Sequence, residues 1–193
     1  MLHNIEGASE SCSPCLSVKD EGVFKKRNQP FSRKASSDII NGVIEVGKGD
    51  VKEIYYESFG VQKTLIIDGD SYSINHLYDY DFENADEVEV VWTSGLFPSE
   101  PSISSSLSYS SDELTYSSAY AYQNEELESL TQSSQSGLSP EVFNQKTDWV
   151  AIRTKFFGMV MIPDKKSNYA SLSSKNFLFR GNDDVLPLYS AGM

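Results

Sequence analysis

The strongest constraint on this chain is a period of two. In the stretch QKTLIIDGDSYSINHLYDYDF, Tyr72, Ile74, Tyr78, Tyr80 and Phe82 alternate with polar residues, while Ser71, Ser73, Asn75, Asp79 and Asp81 take the opposite positions. Only an extended strand, whose side chains point alternately to its two faces, turns that spacing into one apolar face. The pattern predicts a strand from Lys63 to Ile67, a type I′ hairpin turn at Asp68-Gly69, and a long returning strand whose aromatic face points into the core. His76 falls on that same face. With no carboxylate or cysteine at ligand spacing, it reads as a packed, hydrogen-bonded side chain and not as a base or metal ligand.

The rest of the chain after Gly42 repeats the theme. Short apolar runs are punctuated by Gly, Asp and Asn, and no long amphipathic helix is visible, so the fold class expected is all-β and antiparallel. Val43 to Phe59 reads as two short strands across Gly47-Lys48-Gly49-Asp50. In the next strand Val88, Val90 and Trp92 alternate with Glu87, Glu89 and Val91. Thr93 to Pro101 must leave the sheet, because proline lacks a ladder donor. Half of the residues from Ser99 to Ser118 are serine, which predicts a long surface excursion. A strand resumes from Leu114, with Tyr116, Ser118, Tyr120 and Tyr122 on one face and a turn opening at Asn124. A Ser/Gln-rich loop, Ser129 to Ser139, follows.

TDWVAIRTKFFGMVMIPD, Thr147 to Asp164, is the most apolar passage. Its longest apolar run, Phe156 to Pro163, has eight residues, too few for a bilayer span of about 20. A helix would set Arg153 within a turn of Trp149, Phe156 and Phe157, and the β-branched content also favours a strand. The expectation is one central strand, kinked at Gly158, with Val150, Ile152, Phe156, Val160 and Ile162 inside. Arg153 and Lys155 would then snorkel over Trp149 and Phe157 on the other side, or pair with acidic neighbours.

A formal charge of −12 repels nucleic-acid phosphates and anionic lipid headgroups at long range. Residues 1–41, rich in Ser, Lys and Arg, read as a disordered or linker leader. They lack the basic and apolar regions of an ordinary signal peptide. Cys12 and Cys15, the only cysteines, have C-x-x-C spacing. They lack both the strand-to-helix setting of a redox motif and the further ligands of a zinc site, and read as an incidental pair. There is no phosphate-binding glycine loop, no G-x-S-x-G elbow and no H-E-x-x-H. Acidic pairs such as Glu125-Glu126 and Asp183-Asp184 lie in polar segments. No catalytic, cofactor or metal residue is expected, and the chain is not read as an enzyme.

Three ordered blocks carry a specific resemblance. VVWTSGLFPSEPS holds Trp92, Gly95, Leu96, Pro98 and Glu100. LTYSSAYAYQNEELESL holds Tyr116, Ala119, Tyr120 and Tyr122. KTDWVAIRTKFFGMVMIP holds Asp148, Trp149, Val150, Ala151, Lys155, Phe156, Phe157, Ile162 and Pro163. Together, over about residues 42–169, they resemble the large periplasmic domain of the YidC membrane-protein insertases, with Ser99 in place of the usual Thr.

The resemblance implies a β-supersandwich like that of galactose-mutarotase-type domains, without the paired histidines and glutamate of the epimerases. It implies a non-catalytic module on the periplasmic face of the bacterial inner membrane, with the Sec translocon and nascent inner-membrane proteins as partners. The domain is expected over residues 42–170, with 171–193 a divergent tail that loses the family pattern. The family's membrane anchor and its grooved membrane core are not in this sequence, so the sandwich is expected to be incomplete, with open strand edges that favour self-association. The alternative is a free-standing β-sandwich binding module, of a kind that could take carbohydrate through its tyrosine-rich faces.

Overall fold

The computed structural model describes residues 14–20, 23–26, 31–34, 43–58, 60–80, 87–93, 95–96, 115–131, 140–178 and 185–193. Their elements are all strands: β1 (Cys15–Asp20), β2 (Val23–Lys26), β3 (Ser32–Arg33), β4 (Val51–Ser58), β5 (Val61–Asp68), β6 (Ile74–Tyr80), β7 (Glu87–Trp92), β8 (Ser118–Gln123), β9 (Glu126–Thr131), β10 (Glu141–Phe143), β11 (Thr147–Arg153), β12 (Gly158–Met161), β13 (Ala170–Leu178) and β14 (Val185–Gly192). Every pairing is antiparallel. The all-β expectation holds.

The chain divides into two units, residues 1–27 with 87–193, and residues 28–86. In the first, a six-stranded sheet of order β10-β13-β14-β7-β1-β2 accompanies a four-stranded sheet of order β12-β11-β8-β9. Ala119, Ala121, Leu130, Val150 and Ile152 from the smaller sheet and Ala170, Leu172, Tyr189 and Ala191 from the larger form one buried cluster between them. The alanines keep the sheets close, and Tyr189, with Ile152 and Leu172, supplies the bulk. This unit is a β-sandwich.

Two expectations about its ends are corrected. The presumed leader contains β1, whose Cys15, Leu16 and Val18 are buried. Leu16 and Val18 lie opposite Val90 and Val88 of β7, so a strand too short to show a period is stabilised by pairing with a distant one. β2 and β3 also fall in that segment; residues 1–13 lie outside the described residues. The presumed tail forms most of β13 and all of β14, paired over eight registered positions, and supplies three of the core residues, Leu172, Tyr189 and Ala191.

TDWVAIRTKFFGMVMIPD is also corrected, because it is a hairpin and not one strand. Thr154 N donates to Phe157 O at 2.8 Å and closes the turn. The register then pairs Val150 with Met161 and Ile152 with Met159. Partners in an antiparallel pair share a face, so the turn switches the apolar face from even to odd numbers. Val150 and Ile152 are buried as expected, and Met159 and Met161 pack beside them. Phe156, Val160 and Ile162 lie on the exposed side, Ile162 at 74%.

The second unit is a four-stranded sheet of order β3-β4-β5-β6. The expected strand before Gly47 is only an isolated bridge residue at Val43, although Asp50 N does donate to Gly47 O to form the turn. Asp68 to Ser71 turns the chain from β5 towards β6, with Ser71 N donating to Asp68 O at 3.1 Å. Gly69 lacks the positive φ that type I′ requires. That signature belongs instead to Asn124 (φ 46°) and Glu125 (φ 69°), between β8 and β9. The aromatic face of β6 is less buried than its alternation predicts: His76 and Tyr78 are half-buried, whereas Tyr72, Ile74 and Tyr80 are exposed. Phe82 lies outside the described residues.

Candidate functional site

The face of the six-stranded sheet turned away from the sandwich core is unusually polar for a surface so little exposed. Strand alternation places Cys15, Ser17 and Lys19 of β1 there, beside their registered partners Val91, Glu89 and Glu87 of β7. Ser171 and Ser173 of β13 and Ser190 of β14 share it. All of these but Cys15, with Thr93, Tyr169 and with Pro140, Val142 and Asn144 at β10, line a groove of about 280 Å³ that crosses five strands.

At its floor the Glu89 carboxylate, 8% exposed, accepts a hydrogen bond from Ser171 Oγ. Gly192 of β14 permits this meeting, since a Cβ there would lie 2.6 Å from Glu89 Oε1 and 2.7 Å from Ser171 Oγ. Lys19 Nζ donates to Glu87 Oε2 at 2.9 Å across β1 and β7, a partly exposed ion pair. Burial, then the charges of Glu89 and Glu87, push the Tyr169 phenol far above its ordinary pKa, so its hydroxyl stays protonated. Cys15 Sγ lies 3.5 Å from Thr93 Oγ1 and is oxidised in a disulfide. Its only possible partner within the chain, Cys12, lies outside the described residues. No part of this groove except the strand at β7 was anticipated from sequence; serines on an interior strand carry no signal until their partners are known.

The residues singled out in the three motif blocks have architectural positions away from this groove. Trp92 Nε1 donates to Gly95 O at 3.4 Å. Gly95 has φ +63°, which strains any side chain, and an added Cβ would also crowd Leu188 and Tyr189 O at 3.2 and 3.3 Å. Leu96 packs on the core; Pro98 and Glu100 lie outside the described residues. Asp148 is the extra residue of a β-bulge between Thr147 and Trp149. The bulge lets both Thr147 and Val150 face inward, and Asp148 is held by Lys166 at 2.7 Å. Gln123 Nε2 binds Phe143 O and Gln145 O, both at 3.0 Å, and seals the same corner.

On the outer face Trp149 stacks on Tyr122 at 5.5 Å and 10°. Ser118 Oγ donates to Tyr120 Oη at 2.8 Å. Lys155 Nζ stands 5.2 Å from the Phe156 ring centroid and 5.9 Å from that of Tyr116. Lys155 thus does lie over aromatic rings, those of Phe156 and Tyr116. Pro163 is half-buried after β12.

In the sheet unit, Lys63 Nζ lies 5.8 and 5.3 Å from the Phe31 and Tyr78 ring centroids, and burial lowers its pKa to about 8. His76 has its pKa lowered to about 4, first by burial and then by Lys63. It is packed as expected but its buried Nδ1 has no hydrogen-bond partner, which corrects the expectation of a satisfied side chain.

Among the described residues no group of three or more His, Cys, Asp or Glu side chains is arranged to hold a metal ion, and no helix is long and apolar enough to cross a membrane. Fold and site together define an antiparallel β-sandwich domain with a polar groove on one outer face. The chain belongs to the YidC periplasmic domain family, whose model matches residues 56–193, more than half of its length. The match runs through β13 and β14 to Met193, across the segment expected to diverge. The family is that of a domain of a membrane protein insertase, and it implies the periplasmic side of a membrane. No curated protein and no solved structure matches the chain.

Proposed function

We propose that this chain is a non-catalytic periplasmic domain of a YidC-type insertase, supporting insertion and folding of inner-membrane proteins through contacts with the Sec translocon and with nascent chains. The observation that carries this reading is the family match, which covers eight of the sandwich's ten strands. The β11–β12 hairpin supports it: Phe156, Phe157, Val160 and Ile162 are all more than half exposed there, an apolar grouping of the kind found at protein contact surfaces. The Cys15 disulfide suits an oxidising compartment such as the periplasm. The carbohydrate-binding alternative gains little from the groove, since its one aromatic residue, Tyr169, is buried and offers no ring face for stacking.

The test is photo-crosslinking in cells from p-benzoylphenylalanine placed at Phe157 or Ile162, with exposed Ser129 as control. Adducts to translocon subunits or nascent inner-membrane proteins from the hairpin positions, and not from Ser129, are expected. Equal labelling from all three positions, or none from the hairpin, would refute the contact role.

A further inference from the structure

Among the described residues the end strands of the three sheets are β2, β10, β9, β12, β3 and β6. Five of them carry charge: Lys26 in β2, Glu141 in β10, Glu126 in β9, Arg33 in β3 and Asp79 in β6. Charged side chains on an edge discourage a foreign strand from pairing with it. β12, Gly158-Met159-Val160-Met161, has no charge, no proline and no register shift against β11. Its backbone is also free on one side. Hydrogen-bonded and non-bonded pairs alternate along an antiparallel ladder. Thr154 N donates to Phe157 O, so by register the bonded pairs continue at Ile152 with Met159 and Val150 with Met161. Gly158 and Val160 therefore turn their N–H and C=O groups away from β11, to the side where no described strand lies. Val160 and Ile162, 53% and 74% exposed, offer apolar contacts along that edge, and the flexible Met159 and Met161 can repack against a new neighbour.

Charge selects the occupant. At one end of β12, Arg153 lies opposite Gly158 and Lys155 stands in the turn. At the other, Pro163 and Asp164 lead to Lys165 and to Lys166, which is paired with Asp148. Cations thus outnumber carboxylates around this edge, in a chain of net charge −12. Two copies paired symmetrically through β12 would set Arg153 and Lys155 of one beside Lys165 and Lys166 of the other, like charges in close opposition. A segment with carboxylates at its ends meets attraction instead. We propose that β12 takes an extended apolar segment of another protein as an added antiparallel strand, held by the backbone groups of Gly158 and Val160 and flanked by acidic residues that face the cations. This rests on the protein-contact role proposed for the β11–β12 hairpin and names the mode of that contact.

The experiment is an NMR titration of the full chain with the acetylated, amidated peptide EVTVIE, following shifts and hydrogen exchange of the backbone amides. Saturable shifts and new protection are expected at Gly158 and Val160, with none from the same peptide N-methylated at its four central residues, which keeps the side chains but removes the donors. The lysine-flanked KVTVIK should bind about fivefold more weakly at low salt, a gap that closes at about 1 M salt. Val160→Pro deletes an N–H that β11 does not use and should lower affinity about tenfold, while the amides of Met159 and Met161 stay protected; Val160→Thr should bind like the unaltered chain. If the proline opens the hairpin, the N-methylated peptide decides. Shifts centred on another edge, no saturation at about 10 mM, equal binding of the N-methylated peptide, or unchanged affinity in an intact Val160→Pro would overturn the proposal. Protection of Gly158 and Val160 that grows with protein concentration in the absence of peptide would overturn it in favour of a second copy. Peptide binding at β12 without hairpin adducts in cells would sustain this inference and remove the insertase contact; adducts without peptide binding would do the reverse.

Discussion

The sandwich unit and the sheet unit are written in the same alternating code, yet only one of them buries what the code offers. In the sandwich, Val150, Ile152, Leu172, Tyr189 and four alanines are essentially inaccessible. In the sheet, Ile54 and Val61 are the only buried hydrophobics among the described residues, and Ile74 and Tyr80 stay about half exposed. Alternation specifies which residues share a face; a second layer decides whether that face becomes a core.

The comparison can be broken most directly by truncation. Ile152→Ala should cost about 2–5 kcal/mol through lost burial and a residual cavity, read as a lower denaturant midpoint. Ile54→Ala, 8% exposed at the start of the substitution, should cost less, about 1–2 kcal/mol. Equal losses would mean that the sheet has a core as tight as that of the sandwich.

A pH series sharpens the contrast. His76 has a folded pKa of about 4 against an ordinary 6.5. Below 6.5 the unfolded chain therefore takes up the proton first, and the stability that neutral His76 provides is lost as pH falls from about 6.5 to 4. It is fully present above 6.5. Lys63, lowered to about 8 from 10.5, likewise favours its neutral form in the fold, so its contribution grows as pH rises from 8 to 10.5. Hydrogen exchange should show β5 and β6 losing protection between pH 6.5 and 4, and His76→Phe should flatten that acid limb. Protection falling equally in β11 and β13 would assign the acid sensitivity elsewhere.

Smallest of all should be Tyr72→Ser. Tyr72 alternates with the aromatic face but is fully exposed, so its loss should leave stability within about 0.5 kcal/mol. A larger loss would show that something covers this ring. Among the described residues, β3 and β6 of the sheet and β2, β10, β9 and β12 of the sandwich are edge strands, from which self-association is expected; light scattering that finds only monomer at high concentration would remove that expectation.

What was legible in the sequence was local. The strands β5, β6, β7, β8 and β11 and the buried Val150 and Ile152 follow from alternation alone. The inward face went astray after the turn at Thr154 to Phe157, because a two-residue period carries no record of such a shift in parity. β1 was hidden because six residues with serine and lysine among them resemble a linker until β7 pairs with them. The groove was hidden for the same reason: Ser17, Glu89, Ser171 and Gly192 come from four strands, and only long-range pairing brings them together. The three motif blocks identified the family because they combine a bulge, a left-handed glycine and stacked aromatics, which are features of shape and not of chemistry.

β7 lies between β1, from near the beginning of the chain, and β14, at its end, with Val90 and Met193 exchanging both backbone hydrogen bonds at 2.9 and 3.1 Å. This arrangement sets a schedule for biosynthesis. As the polypeptide emerges, β1 and β7 can meet early, but the central seam of the sheet cannot close until residue 193 has left the ribosome or translocation channel. Such long-range closure is slow, so until then the carboxylate of Glu89 lacks Ser171 and the sandwich lacks Tyr189. The central seam of this sheet therefore forms only after β14 has been made, long after its partner β7.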